Sequence, residues 1–487
     1  MREVLKKREN IRAIIVLGIF FFVFLGTEYL FDDNMAQLTD SSGVVWAQSY
    51  ILFASALGFI AYSAIFKFIN IRKISSSTLN IICILCTVPA IVSFIIINIH
   101  STYGQTLFFG IVLFFIMGIA GAHIHYYVAF SVTDRVFLAR IVGISYAFGI
   151  LLQFINNNLV KKDVAEMIVL VVFMLIGITL IITGKKQDAL ELEKDRGDDS
   201  QGNDEDSLVK YKRNRAVLLI AAVALMTLIF AALDNTVTMV HAGGGTDIGQ
   251  WPRLLLAISG LLAGFIYDIS ERKYMNIIMY CVTVLSTICI VVIWFGGPFL
   301  AGLIVFYLSA GFFSVFFMTG FMELSYDMGN PRLWAGLGRA INNLCAIVIT
   351  YISGFYNNEN LYMAIIFALV LFVAISVIIF ISENNMRNMR FAADECVATD
   401  VNDIDSNDNS VQKDLFPVFA NEYKLTDREQ EVMLALMSSD DNVQDIAKQL
   451  GISRAALYRH ISNMNEKTST KARIGLLQFY YAWKPQK

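Results

Sequence analysis

Residues 425–483 read LTDREQEVMLALMSSDDNVQDIAKQLGISRAALYRHISNMNEKTSTKARIGLLQFYYAW, and this stretch predicts four short helices. Thr426 stands three residues before Glu429, which is the spacing of a capping box, so the first helix begins there. Asn442 and Ser453 can cap the second and third helices, because a short side-chain oxygen accepts from the free amides of a first turn. The stretch is therefore predicted to be a small all-α domain.

The turn between the second and third helices has the spacing of a helix-turn-helix. Ala447 lets the two helices approach, Gly451 permits the turn, and Leu457 pins the third helix. In that helix Leu457, Ile461 and Met464 recur at steps of four and three, so they form its buried face. The opposite face can reach base edges or phosphates in a major groove, and it carries Arg454, Ala455, Tyr458, Arg459 and Ser462.

With these motifs in register, the stretch resembles the LuxR-type DNA-binding domain. The resemblance rests on Leu425-Thr426-x-Arg428-Glu429-x-Glu431-Val432, on Ile446-Ala447-x-x-Leu450-Gly451-Ile452-Ser453, and on His460 and Lys467. It implies that the third helix reads double-stranded DNA, and that the fourth, Thr470 to Trp483, pairs two domains as a homodimer on a two-fold site. The DNA-binding residues it implies are Arg454, Ala455, Tyr458, Arg459, His460, Ser462, Lys467, Lys471 and Arg473.

Two departures from the family pattern leave the operator sequence open. Ala456-Leu457 stands where the family has Thr-Val, and Tyr458 stands where it has a lysine or arginine. A helical protein-docking module is the alternative interpretation, because the charge balance after residue 421 is only slightly positive. Local charge favours DNA, since a single acid, Glu466, lies among the cations of the third helix.

The rest of the chain has the composition of a membrane protein. Of its 487 residues, 56% are hydrophobic and only 16% are charged, with 37 Phe against 6 Pro. A soluble protein of this length is less apolar, and the apolar runs are too long for the strands of a barrel. The 6 cysteines predict no disulfide framework, and Cys83-x-x-Cys86 lies inside an apolar run, where packing is a simpler role than metal binding.

Twelve apolar runs approach the ~20 residues that a helix needs to cross a bilayer. Six fall within residues 1–183 and six within residues 216–382, with a charged cytoplasmic linker over residues 184–215 between them. The cationic segment Met1–Arg12 precedes an apolar run that is too long for a secretion signal and has no cleavage site. Cations concentrate in the loops on the N-terminal side, so both termini are predicted to be cytoplasmic and the chain to be a multi-pass protein of the cytoplasmic membrane, in contact with lipid.

The two sets of six runs look like an internal repeat. Trp46, Gly58, Phe59, Ile60 and Tyr62 in the second run correspond, at a nearly constant offset, to Trp251, Gly264, Phe265, Ile266 and Tyr267 in the eighth. Two parallel six-helix halves joined by a long loop resemble the major facilitator superfamily. The predicted fold is therefore all-α: a polytopic twelve-helix bundle with a six-plus-six repeat, followed by a C-terminal four-helix helix-turn-helix domain.

A polar, acidic stretch over residues 383–422 separates the bundle from the predicted DNA-binding domain, residues 423–487. It has no helical periodicity, so we expect a disordered tether. About 30 free residues would span roughly 30 Å. The DNA-binding domains are therefore expected to stay near the membrane.

Ionisable groups inside membrane-spanning runs are costly, so each marks a candidate site. Glu28 lies in the outer half of the first run, and Asp234 lies near the outer end of the seventh, its counterpart in the repeat. We expect an outward-facing cavity for a small-molecule ligand, lined by Glu28, Asp32, Gln48, Gln153, Asp234 and Arg253. The alternative, that Glu28 and Arg253 only form structural ion pairs, stays open.

A second polar group is predicted toward the cytoplasm and comprises His123, His125, Glu323, Arg339, Asn342 and Asn343. Its two histidines point about 200° apart on a helix, so they are poor partners for one metal ion. An inner gate of hydrogen bonds, or one proton-sensitive histidine, is the simpler interpretation. The sequence contains no nucleophile–base pair, phosphate loop or metal-ligand set, so we predict neither an enzyme nor a cofactor.

These predictions lead to two hypotheses. In the first, the chain is a membrane-bound one-component transcription regulator, in which a small molecule shifts a transporter-like bundle between two packings and so changes operator binding. In the second, it is a solute transporter of the major facilitator type with a fused regulatory DNA-binding domain. Loss of the glycine and acid of the superfamily's loop motif at Lys67 to Lys73 favours sensing over transport.

Overall fold

A computed structural model of the chain describes residues 7–72, 76–132, 134–160, 162–183, 205–242, 251–270, 272–297, 299–355, 366–385, 416–438, 446–448, 450–468, 470 and 472–483. Within these ranges the secondary structure is helical, which confirms the predicted all-α class. The chain forms two compact units, Met1–Asn385 and Met386–Lys487. The predicted cap at Asn442 and residues 184–204 of the predicted linker lie outside the described residues. Residues 205–215, also predicted to be linker, are instead the first part of the helix Glu205–Ala242.

The first unit contains twelve long helices in its described residues, at the places where the apolar runs predicted them. The first six are α1 (Arg8–Ala36), α2 (Ser41–Ile71), α3 (Ser76–Ile99), α4 (Tyr103–Ser131), α5 (Leu138–Leu159) and α6 (Asp163–Ile182). The next six are α7 (Glu205–Ala242), α8 (Pro252–Tyr267), α9 (Met275–Trp294), α10 (Phe299–Ser325), α11 (Pro331–Phe355) and α12 (Ile366–Asn385).

The length and composition of these helices suit a bilayer. Among the described residues, nine helices are long and apolar enough to cross one, and α3, α8 and α9 supply the shorter apolar segments Cys86–Ile99, Arg253–Tyr267 and Met275–Cys289. Their outer faces carry exposed Val, Leu, Ile and Phe, as expected of side chains that face lipid. The chain is therefore a multi-pass membrane protein.

The contacts between the two halves follow the internal repeat. α2 packs against α11, and α5 packs against α8. Because α2 corresponds to α8 and α5 to α11 in the repeat, these two contacts are equivalents of each other. The repeat seen in the sequence therefore corresponds to a two-fold arrangement of the halves.

Glycines bring α5 and α8 close together. A Cβ atom placed on Gly143 would stand 2.7 Å from the carbonyl oxygen of Gly260 and 2.8 Å from the Cα of Gly264. Neither backbone can give way without moving a helix, so a larger residue would separate the halves here. Small residues at such crossings are typical of helices that associate within a membrane.

Asp268, just after α8, holds the start of α5 in the other half. Its carboxylate accepts from the backbone amides of Ala139 at 3.1 Å and Arg140 at 2.9 Å. These amides belong to the first turn of α5 and have no partner within their own helix. Arg272 lies 3.3 Å from Asp268 and 3.0 Å from Glu323, so this network ties α5, α8 and α10 on the side of the bundle where α1 begins.

The second unit has its own hydrophobic core. Its described helices are α13 (416–422), α14 (Asp427–Ser438), α15 (Arg454–Thr468) and α16 (Ala472–Ala482), and residues 446–448 are also helical. The core is built from the buried faces of all of these elements, and it includes Phe419, Val432, Ile446, Leu457, Met464, Leu476 and Tyr480.

The second unit includes a helix before residue 423, the predicted start of the DNA-binding domain. Residues 416–422 are helical, and Phe416, Phe419 and Ala420 are buried in the core of the second unit. The helix ends in a Schellman turn, in which the amide of Leu425 donates to the Ala420 carbonyl at 2.9 Å. The acidic composition of the stretch hid this helix, because only two aromatic residues and an alanine mark its buried face.

Candidate functional site: the bundle cavity and the helix-turn-helix

A polar cavity with a volume of about 170 Å³ lies within the bundle. It is formed by α1, α2, α5, α7, α8, α10 and α11. Its charged and amide side chains are Glu28, Asp32, Gln48, Asp234, Arg253, Arg339, Asn342 and Asn343. The aromatic part of its wall comprises Tyr29, Tyr146, Phe230, Phe306, Tyr307 and Phe313.

Helical spacing places these side chains on common faces. Glu28 and Asp32 are four residues apart on α1, and Gln48 and Leu52 are four apart on α2. On α7 the lining residues Thr227, Ala231, Asp234 and Thr238 recur at steps of three and four. On α11 the lining residues Arg339, Asn342, Asn343 and Ala346 have the i, i+3, i+4, i+7 spacing of one helical face. Each of these helices therefore presents one polar stripe to the cavity and its apolar remainder to neighbours or lipid.

Hydrogen bonds hold part of the lining in place. Gln48 donates to Glu28 at 3.1 Å, which joins α2 to α1. Asn343 donates to the hydroxyl of Ser55 at 2.7 Å, which joins α11 to α2. The amides at the cavity are thus fixed by contacts between helices, so a change in how α2 packs would move them.

The cavity contains both signs of charge without close ion pairs. Arg339 is almost fully buried, and its guanidinium lies 5.0 Å from the centre of the Phe24 ring. Among the described residues, neither Arg339 nor Arg253 forms an ion pair with Glu28, Asp32 or Asp234, and one oxygen of Asp32 is buried without a hydrogen-bond partner. Charged groups are costly to bury inside a membrane-spanning bundle, so this group is a candidate site.

Five of the six side chains predicted to bind a ligand line this cavity, and Gln153 does not. Gln153 is fully buried, and its amide nitrogen donates to the backbone carbonyl of Leu25 at 2.9 Å. Its contribution is to hold α5 against α1. Glu28 and Asp234, the predicted counterparts in the repeat, lie on opposite halves of the same cavity.

The second polar group predicted from the sequence is divided in the structure. Arg339, Asn342 and Asn343 belong to the cavity itself. His123 contacts the Tyr62 hydroxyl at 2.8 Å, and His125 contacts the carbonyl oxygen of Gly121 at 2.7 Å. The i, i+3, i+4 spacing on α11 was the signal that could have grouped its residues with Glu28, had the neighbours of α11 been known.

In the second unit the predicted caps of two helices are present. The Thr426 amide donates to the Glu429 carboxylate at 2.9 Å, and the Glu429 amide donates to the Thr426 hydroxyl at 3.3 Å, which confirms the capping box. The Ala456 amide donates to the Ser453 hydroxyl at 3.2 Å, so Ser453 caps α15. These two caps fix where α14 and α15 begin.

Gly451 makes the turn of the helix-turn-helix. It has a φ of +63°, a left-handed conformation that a side chain disfavours. The Ile452 amide donates to the Ala447 carbonyl at 3.0 Å and the Gly451 amide to the Lys448 carbonyl at 3.1 Å, which is a Schellman turn. Arg428 reinforces it by donating to the Leu450 carbonyl at 2.9 Å.

α15 has the two faces that the sequence predicted. Leu457, Ile461 and Met464 are buried in the core. Tyr458, Arg459 and Ser462 are exposed on the other face, and His460 is partly exposed beside them. The side chains of Arg454, Ala455, Lys471 and Arg473 lie outside the described residues.

Lys467 differs from its prediction as a DNA-binding residue. Its ammonium lies 2.5 Å from the buried carboxylate of Glu429 and donates to the Lys424 carbonyl at 2.9 Å. The ammonium is therefore turned toward its own domain, where it joins α15 to the start of α14. These contacts give Lys467 a positioning role within the domain, and its contact with DNA stays a prediction.

These features define a multi-pass membrane protein whose second unit is a helix-turn-helix domain. Residues 423–479 match the profile of a family described as "Bacterial regulatory proteins, luxR family". This segment is a LuxR-type DNA-binding domain. Comparison of the chain with curated proteins gives no significant match.

The fold of the first unit is similar to that of known transporters. The E. coli fucose:proton symporter FucP is 13% identical, with a TM-score of 0.51, and the match covers 77% of this chain and 99% of that one. A FucP structure in the outward conformation is 14% identical, with a TM-score of 0.51 over 77% of this chain and 99% of that chain. An auto-inhibited POT family peptide transporter is 11% identical, with a TM-score of 0.50 over 76% and 96%. The first unit therefore has the major facilitator fold.

Proposed function

We propose that this protein is a membrane-bound one-component transcription regulator. In this proposal a small molecule binds the cavity of the first unit, and the second unit binds double-stranded DNA as a homodimer. The observation that carries the proposal is the presence, in one polypeptide, of a LuxR-type domain and a bundle with unpaired charges around a cavity. Both termini are proposed to be cytoplasmic, and neither unit is proposed to be an enzyme.

The chemistry of the cavity suggests the class of ligand. Three carboxylates and two guanidinium groups face a space smaller than the roughly 300–1,000 Å³ of pockets for drug-sized molecules. Such a site suits a small polar solute that carries both a cationic and an anionic group, because each would meet its opposite charge. The aromatic wall can cover an apolar portion of that solute.

Coupling requires that the ligand prefer one packing of the bundle. A shift from 1% to 99% of one state needs a preference of about 10⁴-fold, or about 5.5 kcal/mol. The cavity residues belong to both halves, so a ligand that bridges Glu28 and Asp234 would bind more tightly to the packing that holds them at the matching distance. The resulting change of state would reach the DNA-binding domains through the chain that follows α12.

The DNA-binding part is tested with Arg459→Ala. DNA sequences selected from a random pool by the full chain serve as the operator. We expect Arg459→Ala to weaken binding about tenfold and to reduce the slope of log affinity against log salt concentration by about one. Asn463→Ala, on the same helix and exposed, is the control. Unchanged affinity and salt slope in Arg459→Ala would mean that another surface reads DNA.

The sensing part is tested with Glu28→Gln and Asp234→Asn in a reporter strain that carries the selected operator. A panel of zwitterionic solutes is supplied, and we expect both variants to lose most of the response while operator binding by the purified chain is unchanged. Loss of both response and operator binding would show that these acids serve folding. If the reporter still responds to the solute in the variant that carries both Glu28→Gln and Asp234→Asn, the cavity is not the ligand-binding site.

The second candidate is a transporter with a fused regulatory domain. It is favoured because the structural matches cover 96–99% of the length of the transporter chains. To test this candidate, the purified protein is placed in sealed vesicles. The measurement is the uptake of any solute that activates the reporter. Accumulation of that solute against its gradient would replace the sensor with this candidate. Binding without accumulation supports the sensor.

A further inference from the structure

A groove lies at the end of the bundle where α1 begins, between the first turns of α1 and the last turn of α6. Its volume is about 230 Å³, and it is lined by Arg8, Ile11, Arg12, Ile15, Leu180 and Thr183. Because α1 begins at Arg8 and α6 ends at Ile182, the groove lies at the end of the bundle and away from the polar cavity. Neither of the proposed functions uses it.

Arg12 is fixed at the wall of this groove. Its guanidinium donates to the Leu180 carbonyl and, at 3.2 Å, to the Thr183 hydroxyl. These contacts satisfy acceptors in the last turn of α6, which has no partner for them within the helix. Both contacts use Nη2, so among the described residues the Nη1 donors of Arg12 have no hydrogen-bond partner.

Arg8 lies one turn before Arg12, on the same face of α1. It is exposed, and no described residue forms an ion pair with it. Two guanidinium groups at this spacing can hold one anionic group with several oxygens, and paired donors on arginine suit phosphate. The chain adds Lys7 next to Arg8, and Lys185 and Lys186 soon after the end of α6.

Polarity changes along the groove in the order that a phospholipid requires. Arg8 is at its outer end, Ile11 and Arg12 follow, and Ile15 lies about 10 Å deeper toward the middle of the membrane. Ile11 is 37% exposed, and Leu180 faces it from α6. A free phosphate ion would use the arginines alone and would leave the apolar part of the groove uncovered.

We propose that this groove binds an anionic phospholipid, with its phosphate on Arg8 and Arg12 and the start of one acyl chain along Ile11, Ile15 and Leu180. Basic pockets between membrane helices bind such headgroups in general. Bound lipid would join α1 to α6, and α1 carries Glu28 and Asp32 of the cavity. The amount of anionic lipid would then affect the stability of the first half.

The test uses the purified full chain in detergent, with its melting temperature as the measurement. Phosphatidylglycerol is compared with phosphatidylcholine of the same acyl chains, and with inorganic phosphate and glycerol phosphate. We expect phosphatidylglycerol to raise the melting temperature by about 5 °C in a saturable way, and the other three compounds to leave it unchanged. An equal rise with phosphatidylcholine, or a rise with inorganic phosphate, would overturn the proposal.

Two variants and a control locate the effect. Arg8→Gln should raise the lipid concentration needed for half the effect about fivefold. Ile11→Trp should abolish the effect without changing charge, because the indole would occupy the groove. Lys67→Gln removes one exposed cation at the end of α2 and should behave as the unchanged protein. Equal behaviour of Arg8→Gln and Lys67→Gln, or a normal response in Ile11→Trp, would refute a site at this groove.

Discussion

The side chain of Glu429 joins three parts of the second unit. It closes the capping box of α14 with Thr426, and it accepts from Lys467 of α15 at 2.5 Å, while Lys467 also holds the Lys424 carbonyl. Only 4% of its side chain is exposed, whereas that of Lys467 is 31% exposed. A buried carboxylate with a partner of this kind is costly to leave alone.

Lys467→Met should therefore destabilise the second unit. We expect the free energy of unfolding to fall by about 2 kcal/mol, because the carboxylate of Glu429 keeps its burial and loses its charged partner. The free energy of unfolding is measured by chemical denaturation of a fragment of residues 413–487, with circular dichroism as the signal. Glu431→Gln, whose side chain is 54% exposed, is the control. If Lys467→Met weakens operator binding and leaves stability unchanged, Lys467 contacts DNA as the sequence predicted.

The same group predicts how stability depends on pH. Desolvation opposes ionisation of Glu429, but hydrogen bonds from Lys467 and Thr426 outweigh it, so the pKa of Glu429 is lowered. A lowered pKa adds stability above the pKa of the unfolded chain, and this contribution is lost as the pH falls toward the folded value. Between about pH 5 and pH 3, the unsubstituted fragment of residues 413–487 should lose more stability than the same fragment with Glu429→Gln. Parallel curves for the two proteins would show that Glu429 does not carry this dependence.

Among the helices, α13 adds a packed element before the predicted start of the DNA-binding domain. Phe419 is fully buried and contacts the rings of Tyr480 on α16 and of Trp483 just after it, with centroid distances of 4.9 Å and 5.3 Å. Phe479 lies 6.3 Å from Phe419, so α13 covers an aromatic face of the helix that is expected to pair two domains. α13 is also the part of the domain that follows the chain leaving the membrane.

Removal of this contact should destabilise the domain. Phe419→Ala is expected to cost about 3–5 kcal/mol, as for a buried phenylalanine that leaves a cavity. A fragment that begins at residue 423, the boundary predicted from the sequence, should be less stable by a similar amount than one that begins at residue 413. Denaturant midpoints of the fragments measure both effects, with Val418→Ala, at a 48% exposed position, as the control. Equal midpoints for the two fragments would place α13 outside the folded domain.

The whole molecule combines two units with separate cores, one made for lipid and one for water. The first exposes many apolar side chains, both aliphatic and aromatic, whereas the second buries a small core and exposes charged residues. A DNA-binding unit can act only on the side of the membrane that holds DNA. The proposed function therefore requires that the end of α12 and residue 487 both face the cytoplasm.

This topology is tested with reporter fusions. Alkaline phosphatase, which is active only outside the cytoplasm, should be active when fused after residue 101, between α3 and α4, and after residue 161, between α5 and α6. It should be inactive when fused after residue 385 or 487, as the distribution of cations predicts. A fluorescent protein that matures in the cytoplasm should give the opposite pattern. Phosphatase activity at residue 487 would contradict the proposed function altogether.

Some features of this protein follow from local sequence. Periodicity and run length locate α1–α12, because lipid allows only segments that satisfy their own backbone hydrogen bonds. The capping box at Thr426, the cap at Ser453 and the turn at Gly451 are local, since their partners lie within five residues. The polar residues Glu28 and Asp234 were also visible, because a charge stands out in an apolar run.

Other features were decided only by tertiary structure, because they depend on residues far apart in the chain. Arg339 and Asn342 meet Glu28 at one cavity, Gln153 bonds to α1 instead of lining it, and Lys467 meets Glu429 across 38 positions. Phe416 and Phe419 give no periodic signal until α16 is present to bury them. A single sequence shows which side chains are costly to bury, whereas the packing of distant helices determines which partners they meet.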